Sequence, residues 1–290
     1  MSEHHIFQTE FKASAKDQNY RVIQGKFPSS PDKPLNECSY IFAQPPQESE
    51  VVIYLHGTGD DALYPGGIFY TKLIKAGYGV FAFDLPGHGR LSSSVFEESE
   101  LSSCVAQAVK LLASWGIDRY HLVGYSLGGV VAIHNVREMS LSPLTLILLG
   151  VPTMVKPELS QLIFELRYSV GAEFLKLARV NGFVQMLPAF GPFKRRQFPV
   201  RAGEAHYLKA VSEYIHCQFS HLDRISSVPT LAINGAMDRI APPSMAQEYL
   251  EYFSQGEISV FPKINHFMLN FTPLVHDRML EYMGHAARVF

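Results

Sequence analysis

The chain has little cysteine, one tryptophan and no excess of charge of either sign. Its three cysteines, Cys38, Cys104 and Cys217, are far apart, odd in number and without CxxC spacing. That pattern fits neither a disulfide framework nor a thiolate zinc site, and a reducing, cytoplasmic setting is the expectation. A formal charge of -2, from 25 basic and 27 acidic side chains, offers no basic field to nucleic acid or to an anionic membrane. Long apolar runs are missing as well. The most apolar, LTLILLGV at 144–151, falls far short of the roughly 20 residues that span a bilayer, so no integral membrane span is expected. The N-terminal MSEHHIFQTEFKASAKDQ is polar and mixed in charge, without the apolar stretch of a secretory signal. No internal repeat or low-complexity tract interrupts the chain.

What is present is enough to build a large core: 290 residues, 47% of them hydrophobic. YRVIQGKF and CSYIFAQP read as early strands of a meander separated by the turn-rich PSSPDKPLN. After them the pattern changes. VVIYLHG, GVFAFDLPG, YHLVGYS, LTLILLG, TLAINGAMD and ISVFP are short, nearly continuous apolar runs, as expected of strands buried on both faces. Helical stripes lie between several of them. Leu101, Cys104, Val105, Ala108, Leu111, Leu112 and Trp115 follow helical spacing, with Gly116 placed as a C-terminal stop. Alternating strand and helix predict an α/β fold: a mostly parallel central sheet with helices on both faces.

One stretch breaks the alternation. From Pro152 to Ser226 there is no convincing buried strand, while KPELSQLIFELRYSVGAEFLKLARV and RAGEAHYLKAVSEYIHCQF read as two helical segments. Residues 152–226 are therefore expected to form a helical insertion, and 1–151 with 227–290 the core. Apolar residues from Leu162 to Phe190 could line a pocket, although most are expected to serve packing. Lys194, Arg195, Arg196 and Arg201 read as a solvated loop.

In an open parallel sheet ligands bind beyond the carboxyl ends of the strands, so chemistry is sought just after each apolar run. Ser126 stands there, in GYSLG, a G-x-S-x-G pattern in which a strand turns sharply into a helix. A serine in such a turn can equally be a helix cap. Acting as a nucleophile, it needs a base and a group to orient the base. His266, in the polar loop KINHF after the last apolar run, is the candidate base among twelve histidines. Asp238, in NGAMDRIAP, is the candidate orienting acid. The order Ser, Asp, His, each at a strand end, matches this elbow class. Oxyanion stabilisation falls to the backbone N–H of Leu127 and to that of Thr58 or Gly59 in HGTG. His121 and His134 read as packing or surface residues, and His56 and Asp84 as loop architecture.

Taken together, YLHGTGDD, AFDLPGHGR, GYSLGG, NGAMDRIAP and INHF resemble the α/β-hydrolase family over about residues 50–285. The resemblance is closest to the serine-hydrolase branch that contains monoacylglycerol lipases and esterases. It implies Ser126 as nucleophile, Asp238 as acid, His266 as base and a helical cap over 152–226. The expected activity is hydrolysis of a small-molecule carboxylic ester through an acyl-enzyme, with no metal or organic cofactor. A thioesterase, an amidase or a carbon–carbon bond hydrolase would use the same triad, and a non-catalytic ligand-binding protein of this fold is the alternative from another class.

Overall fold

A computed structural model describes residues 4–64, 66–89, 97–137, 141–155, 204–220 and 226–289. In chain order these form α1 (His4–Asp17), β1 (Arg21–Ser30), β2 (Lys33–Gln44), β3 (Val51–Leu55), α2 (Gly67–Lys75), β4 (Gly79–Phe83), α3 (Glu98–Ser114) and β5 (Tyr120–Tyr125). They continue with α4 (Leu127–Arg137), β6 (Leu146–Leu149), α5 (Glu204–Ser220), β7 (Thr230–Gly235), α6 (Pro243–Leu250), β8 (Gly256–Phe261), a 3-10 helix (His266–Phe271) and α7 (Pro273–Val289).

The eight strands make one sheet in the order β1-β2-β4-β3-β5-β6-β7-β8. β1 and β2 pair antiparallel, β2 pairs antiparallel with β4, and the remaining neighbours are parallel. The chain leaves β3 toward β4 on one side and returns to β5 on the other. The crevice beyond the carboxyl ends of β3 and β5 is therefore the topological switch point, and both the HGTG loop and Ser126 open onto it.

Side-chain alternation along the strands divides the core in two. Ile53, Leu55, Phe81, Phe83, Leu146 and Leu148 face one layer, built with α3, α4, α5 and α6. Val52, Tyr54, Val80, Ala82, Ile147 and Leu149 face the other, built with α1, α2 and α7. Both faces are covered, which explains why the central strands read as unbroken apolar runs. α3 buries Leu101, Cys104, Val105, Ala108 and Leu112 of the stripe foreseen for it, whereas Leu111 is half-buried and Trp115, just past the helix, is partly exposed because it stacks on Phe42 at the sheet's margin. The positive φ of Gly116, 78°, lets the chain turn away two residues beyond its end.

Three local differences from the sequence reading have physical causes. β1 and β2 extend far into the segment read as turn-rich, because Ser29 and Asn36 both bond the buried Glu100 of α3 and hold the hairpin extended almost to its tip. β8 is only partly buried, since it closes the sheet as an edge strand. The polar N-terminal segment forms α1, which buries Phe11 and Ala15 against α2 through a short apolar contact that its mean composition conceals.

The second helical segment of the predicted insertion appears as α5. Val211, Tyr214 and Ile215 join the core layer beneath it, and Gln218 bridges His134 of α4 and Glu98 of α3. The first predicted segment, the apolar residues from Leu162 to Phe190 and the basic cluster of Lys194, Arg195, Arg196 and Arg201 lie outside the described residues.

Candidate active site

Ser126 follows β5 directly and has a φ of 52°, the left-handed region that costs a non-glycine residue of order 1 kcal/mol or more. The surrounding bonds hold it there. Its N–H donates to Leu149 O at 2.9 Å, and its own carbonyl accepts from the Gly129 and Val130 amides at the start of α4. The elbow can form only if α4 comes very close to the sheet. A Cβ on Gly128 would lie 2.3 Å from Leu55 O, and one on Gly124 would lie 2.5 Å from the Cα of Gly129.

Asp238 sits in the turn after β7, with its N–H bonded to Gly235 O at 3.0 Å. One carboxylate oxygen, Oδ1, accepts from the Ile240 and Ala241 amides at 2.9 and 2.8 Å. The other, Oδ2, lies 2.8 Å from His266 Nδ1. His266 opens the 3-10 helix, whose first turn is capped by the Asn265 side chain accepting from Met268 N–H. Its Nε2 is 3.1 Å from Ser126 Oγ. With Nδ1–H donating to the carboxylate, Nε2 carries the free lone pair that can accept the serine proton. All three residues are buried, Ser126 being the most exposed at 9%. The three sequence-predicted residues, separated by 140 and 28 positions, thus meet in one hydrogen-bonded line.

The Leu127 N–H lies at the N-terminus of α4, where helix amides and dipole favour negative charge. Gly128, its neighbour, touches the end of β3, so the HGTG loop lies alongside. His56 orders that loop. Its Nδ1–H donates to Gly57 O at 2.8 Å, and its Nε2 accepts from Leu85 N–H at 2.9 Å. Gly57 C=O and Thr58 N–H share one rigid trans peptide plane, so fixing the oxygen aims the Thr58 N–H the opposite way. Among the described residues, neither the Leu127 nor the Thr58 N–H donates to a backbone carbonyl. Gly59, with a φ of 77°, supplies the turn that follows. Asp84 accepts from Ala62 N–H at 2.9 Å, a loop-bracing role in keeping with its sequence reading.

Two site residues escaped the sequence reading. Gly150 follows β6 directly at a φ of 52°, and a Cβ there would lie 3.1 Å from both Asp238 Oδ2 and His266 Nδ1. Its signal was slight, a glycine closing the run LTLILLG. The Tyr125 ring stands 5.2 Å from the His266 imidazole and is also the group that a Cβ on Gly57 would strike. It therefore touches both the histidine and the HGTG loop.

The buried histidines outside this line are held neutral. Burial pushes His56 well below its ordinary value, and the ring of His88, 5.0 Å away, adds to this. Burial also pushes His88 and His276 down to about 4. His121, bonded to Thr145 and Glu50, is lowered by burial as well. Each must take up a proton on unfolding at acid pH. Their stabilising contribution is complete above about pH 6.5, the unfolded value, and is lost as pH falls toward the folded values. His88 and His276 alone should cost on the order of 2 kcal/mol each by pH 5. Urea midpoints measured at pH 7, 6 and 5 should fall steadily, and a flat series would contradict these neutral histidines.

Fold and site together define a hydrolase-like α/β protein with a strand-to-helix elbow at the switch point. Residues 52–275 match the Alpha/beta hydrolase family, and the chain belongs to it. A Mycoplasma pneumoniae protein that carries the name of an esterase/lipase is 26% identical over 264 residues, covering 86% of this chain and 94% of that protein. A 2-hydroxy-6-oxo-6-phenylhexa-2,4-dienoate hydrolase of Burkholderia cepacia is 28% identical over 238 residues, covering 76% of this chain and 82% of that one. Among solved structures, a thermophilic esterase from Thermogutta terrifontis superposes with a TM-score of 0.64 at 18% identity, over 91% of this chain and 99% of that chain. Among the described residues, no helix is long and apolar enough to cross a membrane, and no group of three His, Cys, Asp or Glu side chains could hold a metal ion.

Proposed function

We propose that the protein is a serine hydrolase that cleaves carboxylic esters through an acyl-enzyme, with Ser126 as nucleophile, His266 as general base and Asp238 as orienting acid. The observation that carries this reading is the line Ser126 Oγ to His266 Nε2 at 3.1 Å and His266 Nδ1 to Asp238 Oδ2 at 2.8 Å. A serine hydroxyl is a weak nucleophile at neutral pH until a base takes its proton as the bond to carbon forms. Neutral His266 supplies that base. Asp238 holds the reactive tautomer and stabilises the imidazolium.

The reaction then runs in two balanced halves. Ser126 Oγ attacks the ester carbonyl while its proton passes to His266, and the carbonyl oxygen becomes an oxyanion held by the Leu127 and Thr58 N–H groups. Collapse of this intermediate expels the alcohol, which leaves with the proton from His266. Water repeats the sequence on the acyl-enzyme and releases the acid. Residues 152–226 cover the site as a helical cap in this reading, with 1–151 and 227–290 as the catalytic core.

The Mycoplasma relative's name supports ester hydrolysis. The Burkholderia relative's name supports a second reading, cleavage of a carbon–carbon bond by the same residues. Two measurements separate them: labelling with a fluorophosphonate followed by peptide mapping, and turnover of p-nitrophenyl esters beside a vinylogous 1,5-diketone. An adduct on Ser126 with ester turnover is the expected result. Diketone turnover without ester turnover would favour the second reading. No adduct and no turnover of either substrate would sink both.

A further inference from the structure

We propose that Tyr54 and Asn270 are positioning residues for His266, their buried hydrogen bond setting the reach of the imidazole to Ser126. The proposal rests on the reading of Ser126 as nucleophile and His266 as base. Tyr54 lies in β3, and its hydroxyl donates to Asn270 Oδ1 at 2.5 Å. Asn270 lies in the 3-10 helix that His266 opens. Both residues are essentially removed from solvent, Tyr54 at 0% and Asn270 at 2% exposure. A second bond converges on the same residue, from His276 Nε2–H of α7 to the Asn270 carbonyl at 2.8 Å.

The geometry gives this bond a task that packing alone would not require. His266 is tethered on one side by Asp238 at 2.8 Å, and the loop before it by Met237 N–H donating to Ile264 O at 3.0 Å. Both tethers belong to the turn after β7. Neither reaches β5, the strand that carries Ser126; from β5 itself the Tyr125 hydroxyl donates to the His266 carbonyl at 3.4 Å, a long bond that holds only the near end of the histidine helix. Tyr54 adds a second and shorter lateral tie, at the far end of that helix. In the parallel register of β3 with β5 it stands opposite Val123, three residues before Ser126. Through Tyr54 the far end of the short histidine helix is therefore anchored to the strand pair that holds the nucleophile.

The chemistry of the two groups suits a fixed spacer. Burial pushes the Tyr54 phenol well above its ordinary value, so it stays a neutral donor at every working pH. An amide oxygen accepts at one well-defined distance and carries no charge that could perturb the Asp238–His266 pair. The 3-10 helix has only six residues, from His266 to Phe271, so a displacement of Asn270 is passed to His266 with little room for absorption.

The test uses the full chain, a fluorophosphonate and p-nitrophenyl butyrate. Tyr54→Phe keeps the ring and removes only the hydroxyl. Expected are an approximately tenfold slower labelling of Ser126 and an equal fall in kcat, with KM within a factor of about two, because misplacement of a base by a fraction of an ångström acts on the chemical step. The single change also leaves the buried Asn270 oxygen without its partner, which lowers stability. In the double variant Tyr54→Phe with Asn270→Leu both polar partners are gone, so much of the urea midpoint should return. The rate should not return with it. A Tyr54→Phe protein that labels and turns over at the unaltered rate overturns the positioning role alone, as does a double variant that recovers rate and midpoint together. Absence of labelling at Ser126 in the unaltered protein would instead remove the nucleophile reading and this proposal with it.

Discussion

Exchanging His266 for alanine is expected to lower ester turnover by about a millionfold, as much as Ser126→Ala, and combining the two should cost scarcely more. Groups that act as a unit in one proton transfer are grossly non-additive, and removal of either nucleophile or base in such a unit costs roughly 10⁶ in kcat. The geometry motivates the size of the effect. Ser126 Oγ has His266 Nε2 at 3.1 Å as its hydrogen-bond partner, and the neighbouring buried histidines face other partners. Asp238→Asn should cost about 10⁴, less than the loss of the base, because it leaves an imidazole in place but disfavours its reactive tautomer. The fold should survive these changes. The Asp238 turn keeps its Ile240 and Ala241 amide bonds, both independent of His266. Initial rates on p-nitrophenyl butyrate over long incubations, with urea midpoints as a folding control, check the series. A His266→Ala protein retaining a tenth of the activity would falsify the base assignment.

Gly128→Ala should damage both stability and activity severely. The added Cβ would lie 2.3 Å from Leu55 O and 2.6 Å from His56 O and from the Leu55 carbonyl carbon. All three are backbone atoms at the end of β3, so no side-chain rotation relieves the clash. α4 must withdraw from the sheet, and with it go the Leu127 N–H and the strained Ser126, away from the loop that carries Thr58. Overpacking of this kind costs about 3 kcal/mol, and a shift near 1 Å at a catalytic constellation costs about a hundredfold in rate. Gly284→Ala is the matched control. It lies within α7, and a Cβ there meets nothing within 4 Å, so a stabilisation of about 0.5–1 kcal/mol with unchanged rate is expected. Thermal unfolding and kcat for the two variants side by side separate a close backbone approach from a generic intolerance of glycine replacement. Equal behaviour of the pair would show that the elbow does not depend on Gly128.

The strands, α3 and the Ser, Asp, His order were legible because their signals are local. Unbroken apolar runs mark strands covered on both faces, a helical stripe marks α3, and each candidate residue sits just beyond a run. Asp238 could be picked out from other turn aspartates by its position at a strand end and its place in the order between Ser126 and His266. His56 was read as loop architecture, and its two bonds to Gly57 and Leu85 give that reading its physical content.

The residues that escaped were those whose importance is relational. Tyr54 reads as one more apolar strand residue, and Asn270 as one polar residue in a short apolar stretch. They are 216 positions apart, and no local pattern links them. Gly150 is an unremarked strand-end glycine until the Asp238–His266 pair is folded onto it. The length of the β1–β2 hairpin likewise depended on Glu100 of α3 reaching back to Ser29 and Asn36. By itself the sequence determined the fold class, the elbow and the identities of the three candidate catalytic residues, since periodicity, turn chemistry and chain order are properties of neighbours along the chain. Only the tertiary structure decided the spacing of the hydroxyl, imidazole and carboxylate, the aim of the Thr58 N–H and the anchoring of the histidine helix, because hydrogen bonds and close packing depend on distances between segments that the chain brings together only on folding.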